Sequence, residues 1–77
     1  MFAAVRFQVD ADASPGLLPR LLQPFARRDL VPDHLHAVHA DGVLTVGIGM
    51  VAMPIEMVHL VEGNLRQVVG VRLVSRL

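Results

Sequence analysis

The chain has no cysteine, no lysine, no tryptophan and no tyrosine. Without cysteine there is no disulfide, no zinc-finger ligand set and no thiol nucleophile. Without lysine there is no Schiff-base amine and no phosphate-loop lysine. Neither sign of charge is in surplus: seven arginines balance seven acidic residues, and the formal net charge is zero. Phosphate neutralisation needs a basic excess, so nucleic acid is not expected as a partner. No apolar stretch approaches the ~18 residues of a membrane span. No basic segment followed by an apolar one marks a signal peptide at the N-terminus. The expectations are therefore no membrane partner and a cytoplasmic location.

What the 77 residues do hold is apolar: 53% are hydrophobic and 18% charged. That composition folds, and the length allows one domain, residues 1–77. A domain this small buries only about 60% of the surface of its unfolded chain. Disulfides, metals or association usually supplement such a core. With disulfides excluded, pairing with a second copy is the expected supplement.

The hydrophobic pattern changes period along the chain. In FAAVRFQVD, Ala3, Val5, Phe7 and Val9 alternate with Arg6, Gln8 and Asp10, which predicts a half-buried strand over 2–9. Ser14 reads as an N-cap with Pro15 at the first helical position. Leu17, Leu18, Leu21, Leu22 and Phe25 then recur at helical spacing, predicting a helix over 15–28 with Arg27 and Arg28 in its last turn. Pro19 and Pro24 fall inside it, which calls for a bent helix whose freed carbonyls, those of Pro15 and Arg20, face water. HLHAVHA (34–40) and VLTVGIGMV (43–51) read as strands joined by the hairpin signal Asp41-Gly42. Pro54 opens a second helix, 54–68, with an apolar stripe at Val58, Val61, Leu65 and Val68. Gly70 ends it, and 71–76 is a last strand.

The element order is thus βαββαβ, an α+β chain. Right-handed crossovers give a four-stranded antiparallel sheet in the order 4-1-3-2 with both helices on one face, the ferredoxin-like sandwich. The second and fourth strands are its edges. Many functions share this fold, so the residues must decide. Metal carriers of this type need a Cys-x-x-Cys loop, which is absent. RNA-recognition versions stack bases on sheet aromatics, and here Phe2, Phe7 and Phe25 are the only ones, the last two reading as buried. An acylphosphatase needs an arginine in a glycine-rich first loop and a partner asparagine, and the single Asn64 lies on the second helix.

His34, His36 and His39 form the densest titratable cluster. On a strand His34 and His36 share a face, and a third ligand such as His59 or Asp33 could complete a metal site. Polar dressing that protects an edge strand from uncontrolled pairing explains them more simply. Glu56 and Glu62 are six apart on a helix and do not stack, so no carboxylate pair suggests acid–base work. No catalytic residue, cofactor or metal is expected, and the chain reads as a non-enzyme.

The first loop and helix carry a further signal. Pro15, Gly16, Leu17, Leu18, Leu21, Phe25, Arg27 and Arg28 stand where the ACT domain has its Pro-Gly, apolar pair and helix ending in Phe-x-Arg-Arg. The stretch 9–35 most resembles the regulatory small subunit of acetolactate synthase. It departs from that pattern at Ala13, usually Asn, at Asp29, usually Gly, and at Pro19 and Pro24. The resemblance implies regulation rather than catalysis. It implies a homodimer, a small amino acid effector at the interface, and a larger catalytic subunit as partner. The effector would meet Ala13, Ser14, Pro15, Gly16 and Leu17, where free N–H groups and a bare glycine suit an anion. A ligand-free dimerisation or interaction module of the same fold is the alternative. The dimer seam is expected along the second strand, at His34, Leu35, His36 and Val38. Protonation of the clustered histidines would then weaken the pair.

Overall fold

Alternation along FAAVRFQVDAD sets the central strand. In the computed structural model, which describes residues 1–77, this strand is β1 (Phe2–Asp12). It buries Phe7, Val9 and Ala11 on one face and turns Arg6, Gln8 and Asp10 to the other. The remaining elements are α1 (Leu17–Ala26), β2 (His34–Ala40), β3 (Val43–Pro54), α2 (Ile55–Arg66) and β4 (Val71–Arg76). The sheet order is β2-β3-β1-β4 with every pairing antiparallel, which is the ferredoxin-like order expected.

Both helices press on one sheet face. Leu17, Leu21 and Phe25 of α1 and Val58, Val61 and Leu65 of α2 join Phe7, Val9, Val46, Ile48, Met53 and Val74 in a single core. Each fully buried side chain of this size contributes ~1.5–3 kcal/mol. The Phe7 and Phe25 rings meet edge to face, with centroids 6.0 Å apart and an interplanar angle of 72°. That geometry adds ~0.5–1.5 kcal/mol beyond burial. Hydrophobic spacing in the sequence and the helix stripes thus converge on the same packing.

β1 and β3 run past their expected ends, to Asp12 and Pro54, and two register shifts interrupt the sheet. One extra β3 residue sits opposite the step from Ala3 to Val5, and one extra β4 residue opposite the step from Asp10 to Ala11. The first lies where β2 has ended. There Asp33 Oδ2 accepts the Val51 N–H at 2.6 Å, and the Asp33 N–H donates to the Gly49 carbonyl at 2.8 Å. A side chain takes over from a missing strand. The β2–β3 hairpin closes through Asp41 (φ 53°) and Gly42 (φ 76°), as the Asp-Gly pair requires.

The start of α1 differs from the expected one. Gly16, not Ser14, is the N-cap, no side chain caps the helix, and Pro15 and Gly16 form a turn before it. The Leu17 N–H donates to the Ser14 carbonyl at 3.2 Å, a turn bond that uses Ser14 through its backbone. Pro19 is consequently the third helical residue, and the first four N–H groups of a helix have no intrahelical acceptor in any case. Its missing donor therefore costs nothing. Only Pro24 is a true interior proline. It withholds a hydrogen bond from the Arg20 carbonyl, and its own carbonyl accepts from Arg28 Nη1 at 3.1 Å. Likewise Pro54 is the N-cap of α2 rather than its first helical residue, and the Ile55 N–H reaches the Met1 carbonyl at 3.0 Å.

At the other end of α1, the Asp29 N–H donates to Ala26 (3.2 Å) and the Leu30 N–H to Phe25 (2.9 Å). This pair of bonds closes a helix on a left-handed residue. Asp29 fills that position at φ 54°, where glycine is the usual occupant.

Candidate ligand-binding site

The antiparallel pairing Asp12↔Val43 carries the end of β1 to the hairpin tip. The Ala13 N–H then donates to the Gly42 carbonyl at 2.9 Å, so the loop leading into α1 is stitched to the β2–β3 turn. Ala13, Ser14 and Pro15 line a cavity of about 420 Å³ with His39, Gly42 and Leu44. These three, of the five loop residues expected to meet an effector, share one wall of the cavity. Gly16 and Leu17 are not in the lining. Leu17 is fully buried in the core, and its N–H is already used by Ser14.

The Ser14 and Gly16 N–H groups make no hydrogen bond within the chain. They are free donors just ahead of a helix, which is the arrangement that receives carboxylates and phosphates. A Cβ at Gly16 would lie 3.2 Å from Arg20 Nη2, so the guanidinium rests close beside this glycine. His39, Gly42 and Leu44 were not singled out for this site. Their membership follows from topology: β3 neighbours both β1 and β2, so the hairpin must end beside the first loop. The register His39↔Leu44 then puts both on the side of the sheet that carries the helices.

β2 is the other expected feature. All seven of its residues are exposed, with Leu35 and Val38 each 48% accessible. Neither helix covers it. His34 and His36 pair with Gly49 and Gly47 on the open face, and His39 lies on the opposite one. A Cβ at Gly49 would fall 3.3 Å from the Cβ of His34, so this glycine makes room for the imidazole. Hence His34, Leu35, His36 and Val38 stand on the free edge, away from the loop cavity, and His39 alone belongs to both features. No group of three His, Asp or Glu side chains comes together anywhere in the chain.

Two acidic residues elsewhere are held in ion pairs. Glu62, 8% exposed, lies 2.6 Å from both Arg66 Nη2 and Arg76 Nε and ties α2 to β4. The Arg76 contact falls outside hydrogen-bond geometry, leaving Glu62 Oε1 without a formal donor. Asp12 pairs with Arg72 at the β4 irregularity. No helix is long and apolar enough to cross a membrane.

The architecture has solved counterparts. The ACT domain from the GTP pyrophosphokinase of Chlorobium tepidum, as a crystal structure, superposes with a TM-score of 0.85 at 17% identity, covering 100% of both chains. Its solution NMR structure gives 0.81 at 17% identity, over 99% of this chain and 86% of that one. An uncharacterized protein from Thermotoga maritima gives 0.80 at 9% identity, over 100% and 96%. At such identities these likenesses establish the fold. No curated protein matches the sequence. A family model described as an ACT-like domain matches residues 2–76, and the chain belongs to the ACT-like domain family.

Proposed function

We propose that this chain is a non-catalytic regulatory module that binds a small amino acid at the loop preceding α1 and works as a homodimer. ACT domains are in general regulatory small-ligand-binding modules. The observation that carries the reading is the unpartnered Ser14 amide in a loop that walls a cavity with His39, with the free Gly16 amide just beyond that lining. The effector carboxylate meets these donors. The β2 edge of a second copy, through His34, Leu35, His36 and Val38, forms the dimer seam, which meets the loop cavity only at His39. Resemblance over 9–35 to the acetolactate synthase small subunit favours a larger catalytic subunit of branched-chain amino acid biosynthesis as the regulated partner.

A second reading is favoured by one feature. The cavity lining holds no carboxylate, so one chain alone offers the effector's ammonium group no ion-pair partner. A ligand-free dimerisation module of the same fold fits that composition. A thermal-shift screen against the twenty amino acids separates the two. A ligand at 100 times its Kd stabilises by about 2.7 kcal/mol. In a domain of this size that raises Tm by roughly 10–20 °C. One amino acid, or a small group of similar shape, should shift Tm by that order. No shift with any of them at about 10 mM supports the ligand-free module instead. Mass identification of proteins co-purifying from the native host tests the catalytic partner.

A further inference from the structure

A second cleft lies between the two helices and shares no lining residue with the loop cavity or with β2. It has a volume of about 460 Å³ and runs between α1 and the last turn of α2. Arg20, Gln23 and Arg27 line one wall, and Asn64 and Gln67 the other. Three of the seven arginines, Arg66, Arg72 and Arg76, pair with carboxylates. Arg20 and Arg27 do not, and no acidic residue lines the cleft. In a chain of zero net charge this is a local concentration of uncompensated cations.

Arg27 has one partner on its own helix, and the Arg20 guanidinium lies beside the loop that precedes it. Arg27 Nη2 donates to Gln23 Oε1 at 3.3 Å, and the Arg20 guanidinium packs over Gly16. Seven residues apart on one helix, their Cα atoms are separated by about 10.5 Å. Two guanidinium forks at that spacing can close on one compact polyanion from both ends, with the geometry that suits phosphoryl oxygens. The carboxamides of Asn64 and Gln67 add donors and acceptors for a neutral head group. Half-buried Val68 adds an apolar floor. The C-terminal end of α2 opposes an anion by about two- to fivefold in affinity. Each guanidinium contributes about tenfold or more, so the pair prevails.

We propose that this cleft is a binding site for a phosphorylated small molecule, with a lining that shares no residue with the loop cavity. The test is an amide NMR titration of the whole chain with sodium pyrophosphate, with ADP, citrate and a short DNA oligonucleotide as comparison arms. Pyrophosphate is expected to move the Gln23, Asn64 and Gln67 resonances together. Arg20→Gln and Arg27→Gln should each weaken binding about tenfold. The double variant should abolish it, and Arg6→Gln, on the open sheet face, should leave it unchanged. Tighter binding of ADP than of pyrophosphate assigns the ligand to nucleotides, and the reverse to simple phosphates. Citrate binding as tightly as pyrophosphate overturns the phosphoryl assignment. Preference for the oligonucleotide overturns a small-molecule site. Absent or scattered shifts, or binding that survives in the folded double variant, overturn the proposal outright.

Discussion

Replacing Ala37 by proline should split a dimer without unfolding the monomer. The two-residue hairpin closes on the Ala40–Val43 pair. Antiparallel alternation then directs the N–H and C=O groups of His34, His36, Val38 and Ala40 to β3, and those of Leu35, Ala37 and His39 to the free edge. A two-fold axis through Ala37, the middle residue of β2, would pair the outward groups of two copies in about six hydrogen bonds. At ~0.5–1.5 kcal/mol each they contribute ~3–9 kcal/mol. Leu35 and Val38, each 48% exposed, add about 1 kcal/mol apiece on burial. Association itself costs ~4–15 kcal/mol, so the surplus is small and any loss is measurable. Ala37→Pro deletes one outward donor per copy, two per dimer, or ~1–3 kcal/mol. That corresponds to a Kd weaker by about 5- to 150-fold. The ladder to β3 keeps all its donors, and an edge strand tolerates proline. Sedimentation equilibrium gives Kd, and circular dichroism verifies the fold. A folded variant with the wild-type Kd would refute pairing through β2, as would a wild-type chain that is monomeric at tens of micromolar.

Three further outcomes follow from local structure. Asp29→Gly, which relieves an L-residue at φ 54°, should raise stability by about 0.5–1 kcal/mol in urea unfolding; a decrease would mean that the Asp side chain itself supports the turn. Glu62→Gln should lower stability by about 1–2 kcal/mol, because it removes the charge shared by Arg66 and Arg76 while both partners keep access to water; no loss would show that α2 is held to β4 by packing alone. Phe25→Ala should cost about 3–5 kcal/mol by opening a cavity against Phe7, and a loss under 1 kcal/mol would contradict the edge-to-face core.

The fold was legible because each strand and helix carries its own period. Phe7 and Val9, or Val58, Val61 and Leu65, declare their buried faces without reference to any neighbour. The ends were less legible because they are set by partners distant in sequence. Ser14 looks like a cap until the chain is seen to turn once more through Pro15 and Gly16. β3 runs on to Pro54 only because Phe2 pairs with it. The loop half of the cavity, Ala13 to Pro15, could be read from a local Pro-Gly motif. His39, Gly42 and Leu44 could not, since they join it through sheet order. Arg20 and Arg27 read as the polar side of an amphipathic helix, and only the approach of Asn64 and Gln67 makes them one wall of a cleft.

The central claim, that the loop before α1 receives a small amino acid, is tested most directly by an amide NMR titration with each of the twenty amino acids. The account predicts that at least one of them saturably moves the Ser14 and Gly16 amides, now without acceptors, together with His39 and Gly42 across the cavity. If no amino acid perturbs those resonances at about 10 mM, or if the shifts fall elsewhere on the chain, the loop is not an effector site.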